Sequence, residues 1–216
     1  MGMKATGMGA SAQTTQQKDE FAYGELPRSE FMKIFNAVGA KPGETYYDLG
    51  AGEGKSVALA WALGMKATGI ELLDKRFNAS CDATAKLDTM PTPKFASDRM
   101  RLDQGSFLTL DWSDADVVFT DSVMFSPETM AALSDRARAL KEGARIVSKK
   151  KFTGDAFKSL GQLPLNVSWS RTMLDFQVQQ KVTPADRSGL STLPSVRSCC
   201  RGPCDHNPKV VHGPLG

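Results

Sequence analysis

The sequence predicts an open α/β fold: a mostly parallel sheet of seven strands, helices on both faces, and an antiparallel hairpin closing one edge. Three observations lead there. Apolar runs of strand length alternate with stretches of helical period. The glycine-rich segment Asp48-Leu49-Gly50-Ala51-Gly52-Glu53-Gly54-Lys55 stands between the apolar Thr45-Tyr46-Tyr47 and a helix-like stretch from Ser56 to Ala62. An acid, Glu71, closes a second short apolar run at the distance where such folds bind a ribose.

The elements follow in order. Residues 1–20 are small, polar and rich in Gln and Thr, which reads as a disordered leader. Met1-Gly2 opens a short acylation pattern that chance often produces, and one acyl chain anchors only marginally. The domain is expected over residues 21–183. Ser29 is placed to cap a helix with Phe31, Ile34, Phe35 and Val38 on one face, and Gly39 ends it. Strands are expected at Thr45–Tyr47, Ala67–Glu71, Met100–Leu102, Asp116–Thr120 and Ala144–Ser148. Helices are expected around Ala79–Leu87, after Ser126-Pro127, where Met130, Leu133, Ala137 and Leu140 repeat at helical spacing, and near Asp155–Leu160. Leu165–Trp169 and Thr172–Val182 are read as the closing pair, and residues 184–216 as a disordered tail.

The glycine loop has a chemical meaning. Glycines let the backbone turn sharply and let a ligand press against it, while free amides at the helix start offer partial positive charge. The spacing is GxGxG behind an acid rather than the dinucleotide GxGxxG. Asp48-x-Gly50-x-Gly52-x-Gly54 with Glu71 resembles the cofactor motif of class I methyltransferases, which are Rossmann-like and bind S-adenosyl-L-methionine.

Four segments resemble one family within that class, the disruptor-of-telomeric-silencing family of histone lysine methyltransferases that lack a SET domain. Tyr23-Gly24-Glu25 is similar to its loop over the cofactor. Asp48 to Lys55 with Gly69-Ile70-Glu71 is similar to its glycine loop and ribose acid. Gln104-Gly105-Ser106-Phe107 is similar to its adenine border. Val118 to Phe125 and Leu140 to Ser148 are similar to its fourth and fifth strands. The resemblance implies cofactor contacts from Tyr23, Gly24, Glu25, Asp48, Gly50, Gly52, Gly54, Lys55, Glu71, Ser106, Phe107 and Asp121. It implies catalytic roles for Asp121 and Tyr23, a lysine of a histone or nucleosome as acceptor, and a nuclear location; without the family the chain reads as cytoplasmic. No metal is required, because the sulfonium methyl is already reactive.

Three positions depart from the family pattern. Ser106 stands where an acid usually bonds the adenine amine, Asp121 where an asparagine borders the lysine channel, and Val123 where an aromatic residue is expected. Two other functions therefore stay open: a methyltransferase for another protein or a small molecule, and a cofactor-binding scaffold without turnover. Trp112 and Trp169 are read as packing residues.

The 216 residues suffice for one domain, and a net charge of +3 does not by itself argue for nucleic acid. Lys149-Lys150-Lys151 leaves room for a weak DNA contact. No apolar run has the length of a membrane span. The four cysteines are read as too few and too lopsided for a disulfide framework. Cys199, Cys200, Cys204 and His206 match no standard zinc spacing, and oligomeric state is not legible.

Overall fold

The computed structural model describes residues 25–188 and 196–201. The expected leader, the acylation pattern, Tyr23, Gly24, Cys204 and His206 lie outside them. In chain order the elements are α1 (Arg28–Ala37), β1 (Thr45–Leu49), α2 (Lys55–Ala62), β2 (Lys66–Glu71), α3 (Asp74–Asp88), β3 (Met100–Gln104), β4 (Val117–Thr120), α4 (Pro127–Ala137), β5 (Arg145–Ser148), β6 (Phe157–Leu165), β7 (Leu174–Lys181) and β8 (Ser198–Arg201). They build one sheet in the order β6-β7-β5-β4-β1-β2-β3-β8. Strands β1 to β5 are parallel to their neighbours among themselves, while β7 runs antiparallel to both β5 and β6.

The alternation of side chains along the strands divides the core in two. On one face Tyr46, Ala67, Leu102, Val117 and Phe119 pack against Ile34 and Phe35 of α1, Val57 and Trp61 of α2, and Phe77 of α3. On the other, Tyr47, Leu49, Ile70, Val118 and Ile146 pack against Met130, Leu133 and Ala137 of α4. Helix α2 lies so close to β2 that a Cβ at Gly69 would sit 2.7 Å from Ala51 Cβ and 2.8 Å from Val57 Cγ2. Only glycine fits there.

Helix α4 starts as its sequence indicates: the Ser126 hydroxyl accepts from Thr129 N–H at 3.1 Å, and Pro127 occupies the first turn. Helix α1 differs. It begins at Arg28 behind Pro27, no side chain caps it, and Ser29 lies inside its first turn.

The larger differences are at the two sheet edges. The helix expected near Asp155–Leu160 is instead the start of β6, and the strand expected at Leu165–Trp169 ends at Leu165. Strand β6 is buried at Phe157 and Leu165 and open between them, so no alternation marks it. It also carries a register shift between Ser159 and Gly161 and a proline at 164, features tolerated on an edge. At the opposite edge, Ser198–Arg201, which the sequence assigns to the tail, forms an eighth strand antiparallel to β3. Cys199 on it is disulfide-bonded to Cys81 of α3, with Cα atoms 5.6 Å apart. Among the described residues no helix is long and apolar enough to cross a membrane.

Candidate functional site

The chain runs from β1 outward through β2 and β3, then returns to β4 on the other side of β1. In open parallel sheets ligands bind at this reversal, beyond the carboxyl ends of the strands. Here the glycine loop occupies that place. Gly50 and Ala51 N–H donate to Ile70 O at 2.8 and 3.0 Å, folding the loop over the end of β2. Gly50 and Gly52 have φ of +92° and +56°, in the left-handed region that favours glycine. Gly54, at φ +77°, sits before the first turn of α2 and packs toward Leu102, where a Cβ would come within 3.3 Å. It seats the helix and does not line the cleft.

Glu71 is held by backbone. One carboxylate oxygen accepts from Gly52 N–H at 2.8 Å and the other from Leu73 N–H at 2.9 Å. Each oxygen keeps a further lone pair for a ligand hydroxyl.

The loop floors a cleft of about 370 Å³. On the β2–β3 side its walls are Glu71, Leu72, Arg76, Ser106, Phe107 and Leu108. On the β4 side they are Asp121, Val123, Met124, Phe125 and Trp169, with Glu25, Leu26 and Phe31 closing over the top. Phe107 and Phe125 meet with ring centroids 5.3 Å apart, and Phe107 O accepts from Trp112 Nε1–H at 2.8 Å. Glu25 is fixed from two directions. Its N–H donates to Ser168 Oγ at 3.1 Å, and its carboxylate pairs with Lys55 Nζ at 2.5 Å.

The electrostatics are unusual for so apolar a cleft. Burial pushes the Asp48 carboxyl up to about 7, and the negative charges of Glu71 and Asp121 push the same way; the Ser56 hydroxyl, donating to Asp48 Oδ2, opposes them. Burial also raises Asp121, to about 6, against the opposing Val123 N–H and Lys149 charge. Val123 N–H lies 3.3 Å from Asp121 Oδ1. Three carboxylates thus converge on one space, which favours a cationic guest.

The residues expected at the site largely assemble. Glu25, Asp48, Gly50, Gly52, Lys55, Glu71, Ser106, Phe107 and Asp121 all line the cleft, and Gly54 stands behind it. Trp169, read as packing, instead lies in the loop after β6, lines the cleft and is 37% exposed. Leu72 and Met124 are exposed at the same mouth. Of the lysine run, Lys149 Nζ donates to Asp175 O at 2.8 Å and Lys150 Nζ to Phe125 O. No group of three or more potential metal ligands occurs among the described residues.

Comparison with known proteins bears on the fold and the family. The fold is similar to an RNA methyltransferase from Salinibacter ruber in complex with S-adenosyl-L-homocysteine, with a TM-score of 0.55 and 17% identity over 78% of this chain and 99% of that one. It is also similar to a putative RNA methyltransferase from Pyrococcus horikoshii, with a TM-score of 0.53 and 16% identity over 72% and 83%. The sheet is thus that of a Rossmann-like class I methyltransferase. In sequence, the chain is 30% identical over 149 residues to a histone-lysine N-methyltransferase, H3 lysine-79 specific, from Cryptococcus neoformans var. neoformans. That match covers 64% of this chain but only 23% of the relative's length. Residues 12–176, more than half of the 216, match the family described as histone methylation protein DOT1. The chain belongs to that family.

Proposed function

We propose that this chain transfers a methyl group from S-adenosyl-L-methionine to a lysine of a nucleosomal histone, in the nucleus. The observation that carries the cofactor half is the convergence of Asp48, Glu71 and Asp121 on an apolar cleft at the sheet's reversal point. S-adenosyl-L-methionine matches that environment: it has a ribose diol for Glu71, a flat base for Phe107 and Ser106, and two cationic groups for the remaining acids. When bound, it supplies a methyl carbon electrophilic enough to need no metal. The acceptor half rests on family membership and on the relative's H3 lysine-79 activity.

The chain's own residues then have separable tasks. Gly50 and Gly52 let the backbone approach the ligand. Glu71 orients the ribose through charge-assisted hydrogen bonds. Glu25, Leu26 and Phe31 exclude water from above. Val123, Met124 and Trp169 give an acceptor side chain an apolar approach, and Asp121 faces its amine. Holding the amine in line at near-attack distance is the main catalytic contribution. Lys151, exposed beside its two engaged neighbours, makes any DNA contact weak.

Methyl transfer from labelled cofactor to nucleosomes, free histones and a metabolite extract tests the acceptor. Label on nucleosomal H3 is expected. Label confined to another protein or to a small molecule would move the chain to a different acceptor class. Tight cofactor binding without any transfer would make it a scaffold.

A further inference from the structure

The C-terminal strand lies along helix α3 and is fastened to it at three levels. Residues 197, 199 and 201 share one side of the strand, as the two-residue period requires. Arg197 reaches the first turns of α3, donating to Asn78 Oδ1 at 3.1 Å and lying 5.3 Å from the Phe77 ring. Cys199 is bonded to Cys81 in the middle. Arg201 is buried at the far end, over Trp61 at 4.5 Å, and donates to Leu87 O and to Thr92 Oγ1 at 2.9 Å. The same segment backs the cleft. Arg197 O accepts from Gln104 N–H at 2.8 Å, Ser198 Oγ donates to Asp103 Oδ1 at 2.6 Å, and Val196 packs in the cluster that includes Phe107 and Leu108. Gly105 N–H in turn donates to Glu71 O at 2.9 Å.

We infer that β8 is a redox-operated strap that tightens the adenosine side of the cleft when Cys81 and Cys199 are joined. The readout rests on the cofactor assignment above. A reducing compartment such as the nucleus holds such a pair as two thiols. Exchange with glutathione disulfide closes it. One thiolate displaces a glutathione thiolate to form a mixed disulfide, the second attacks that sulfur, and the protein disulfide forms as two glutathione thiols leave; protons and electrons balance. Closure ties β8 to α3 across a sequence separation of 118 residues, and α3 begins three residues after Glu71. The loop that presents Ser106 and Phe107 is then held between the strap and β2.

The test compares the full chain oxidised with glutathione disulfide, the same chain reduced, and Cys81→Ala, with S-adenosylhomocysteine affinity by calorimetry and melting temperature as readouts. Cys81→Ala isolates this bridge, because Cys200 is also disulfide-bonded and reductant opens both. The oxidised chain should melt about 10 °C higher than the other two forms, since a long closed loop constrains the unfolded chain most. It should also bind about five- to tenfold tighter, a typical size for coupling between sites. Equal affinity in all three forms would overturn the strap, as would peptide mapping that finds Cys81 and Cys199 unlinked after oxidation. If none of the three binds, the cofactor assignment fails first.

Discussion

The two ends of the cleft are built differently. At the β1–β2 end, position is set by backbone: glycines at positive φ, amides of Gly50 and Ala51 tied to Ile70 O, and Glu71 held by two N–H groups. At the β4 end the hold is lighter: Asp121 takes a single backbone N–H, from Val123 at 3.3 Å, and Met124 and Trp169 stand partly in solvent. The first end suits a ligand that is always the same. The second is open to change, because side chains vary without disturbing the turn beneath them. Two of the three positions read as departures from the family pattern, Asp121 and Val123, fall there, while the third, Ser106, lies on the β2–β3 wall.

The sharpest way to break the comparison is Gly52→Val. At φ +56° a β-branched residue is a genuine outlier, and the loop must move away from Glu71 to relieve it. Cofactor affinity should fall more than about 100-fold, equivalent to about 3 kcal/mol, while circular dichroism stays close to the parent's. Unchanged affinity would place the cofactor elsewhere. Glu71→Ala comes next, with a loss of about 1–3 kcal/mol of binding. It also leaves the Gly52 and Leu73 amides without their acceptor, so Glu71→Gln should recover part of the loss.

Acidity gives a third, smaller effect. Asp48 and Asp121 titrate at about 7 and about 6 in the folded chain, above the ordinary carboxylate value of about 4. The folded state therefore binds more protons between those limits. The stability this contributes is full below about pH 4 and is lost as pH rises toward 7. A bound cation draws both groups down again and expels protons. Affinity for S-adenosylmethionine should then rise, by up to about tenfold, from pH 5.5 to 7.5. The gain should be smaller for S-adenosylhomocysteine, which lacks the sulfonium. Calorimetry in two buffers of different ionisation enthalpy reads the proton release directly; none would mean that the acids do not face the cation.

The smallest expected change in cofactor binding is at Trp169→Ala. Its ring walls only the acceptor end, so cofactor affinity should hold within about twofold while KM for the acceptor rises about tenfold, a loss near 1.4 kcal/mol. A parallel loss of cofactor affinity would erase the division between the two ends.

The same division governs what the sequence reveals. The glycine loop and Glu71 are legible because each requirement is local: a positive φ demands glycine, and a strand end presents its acid about where the fold needs it. Trp169 is not legible, since its exposure depends on where the loop after β6 lands against Glu25. Both edge strands escape for a related reason. Strand β6 is open along its middle and β8 is only four residues long, so neither shows the alternation that marks a half-buried strand. Arg201 and Cys199 gain their meaning only from α3, more than a hundred residues earlier in the chain.

Gly69 is not among the residues that line the cleft, yet the cleft depends on the side chain it lacks. A genetic screen for lost cofactor binding would recover alanine there alongside changes in the glycine loop. The added methyl group would meet Ala51 and Val57, and would lever the loop off the end of β2. An investigator ranking variants by distance from the ligand would pass over it. In this chain the bare Cα of a mid-strand residue holds the glycine turn to its acid.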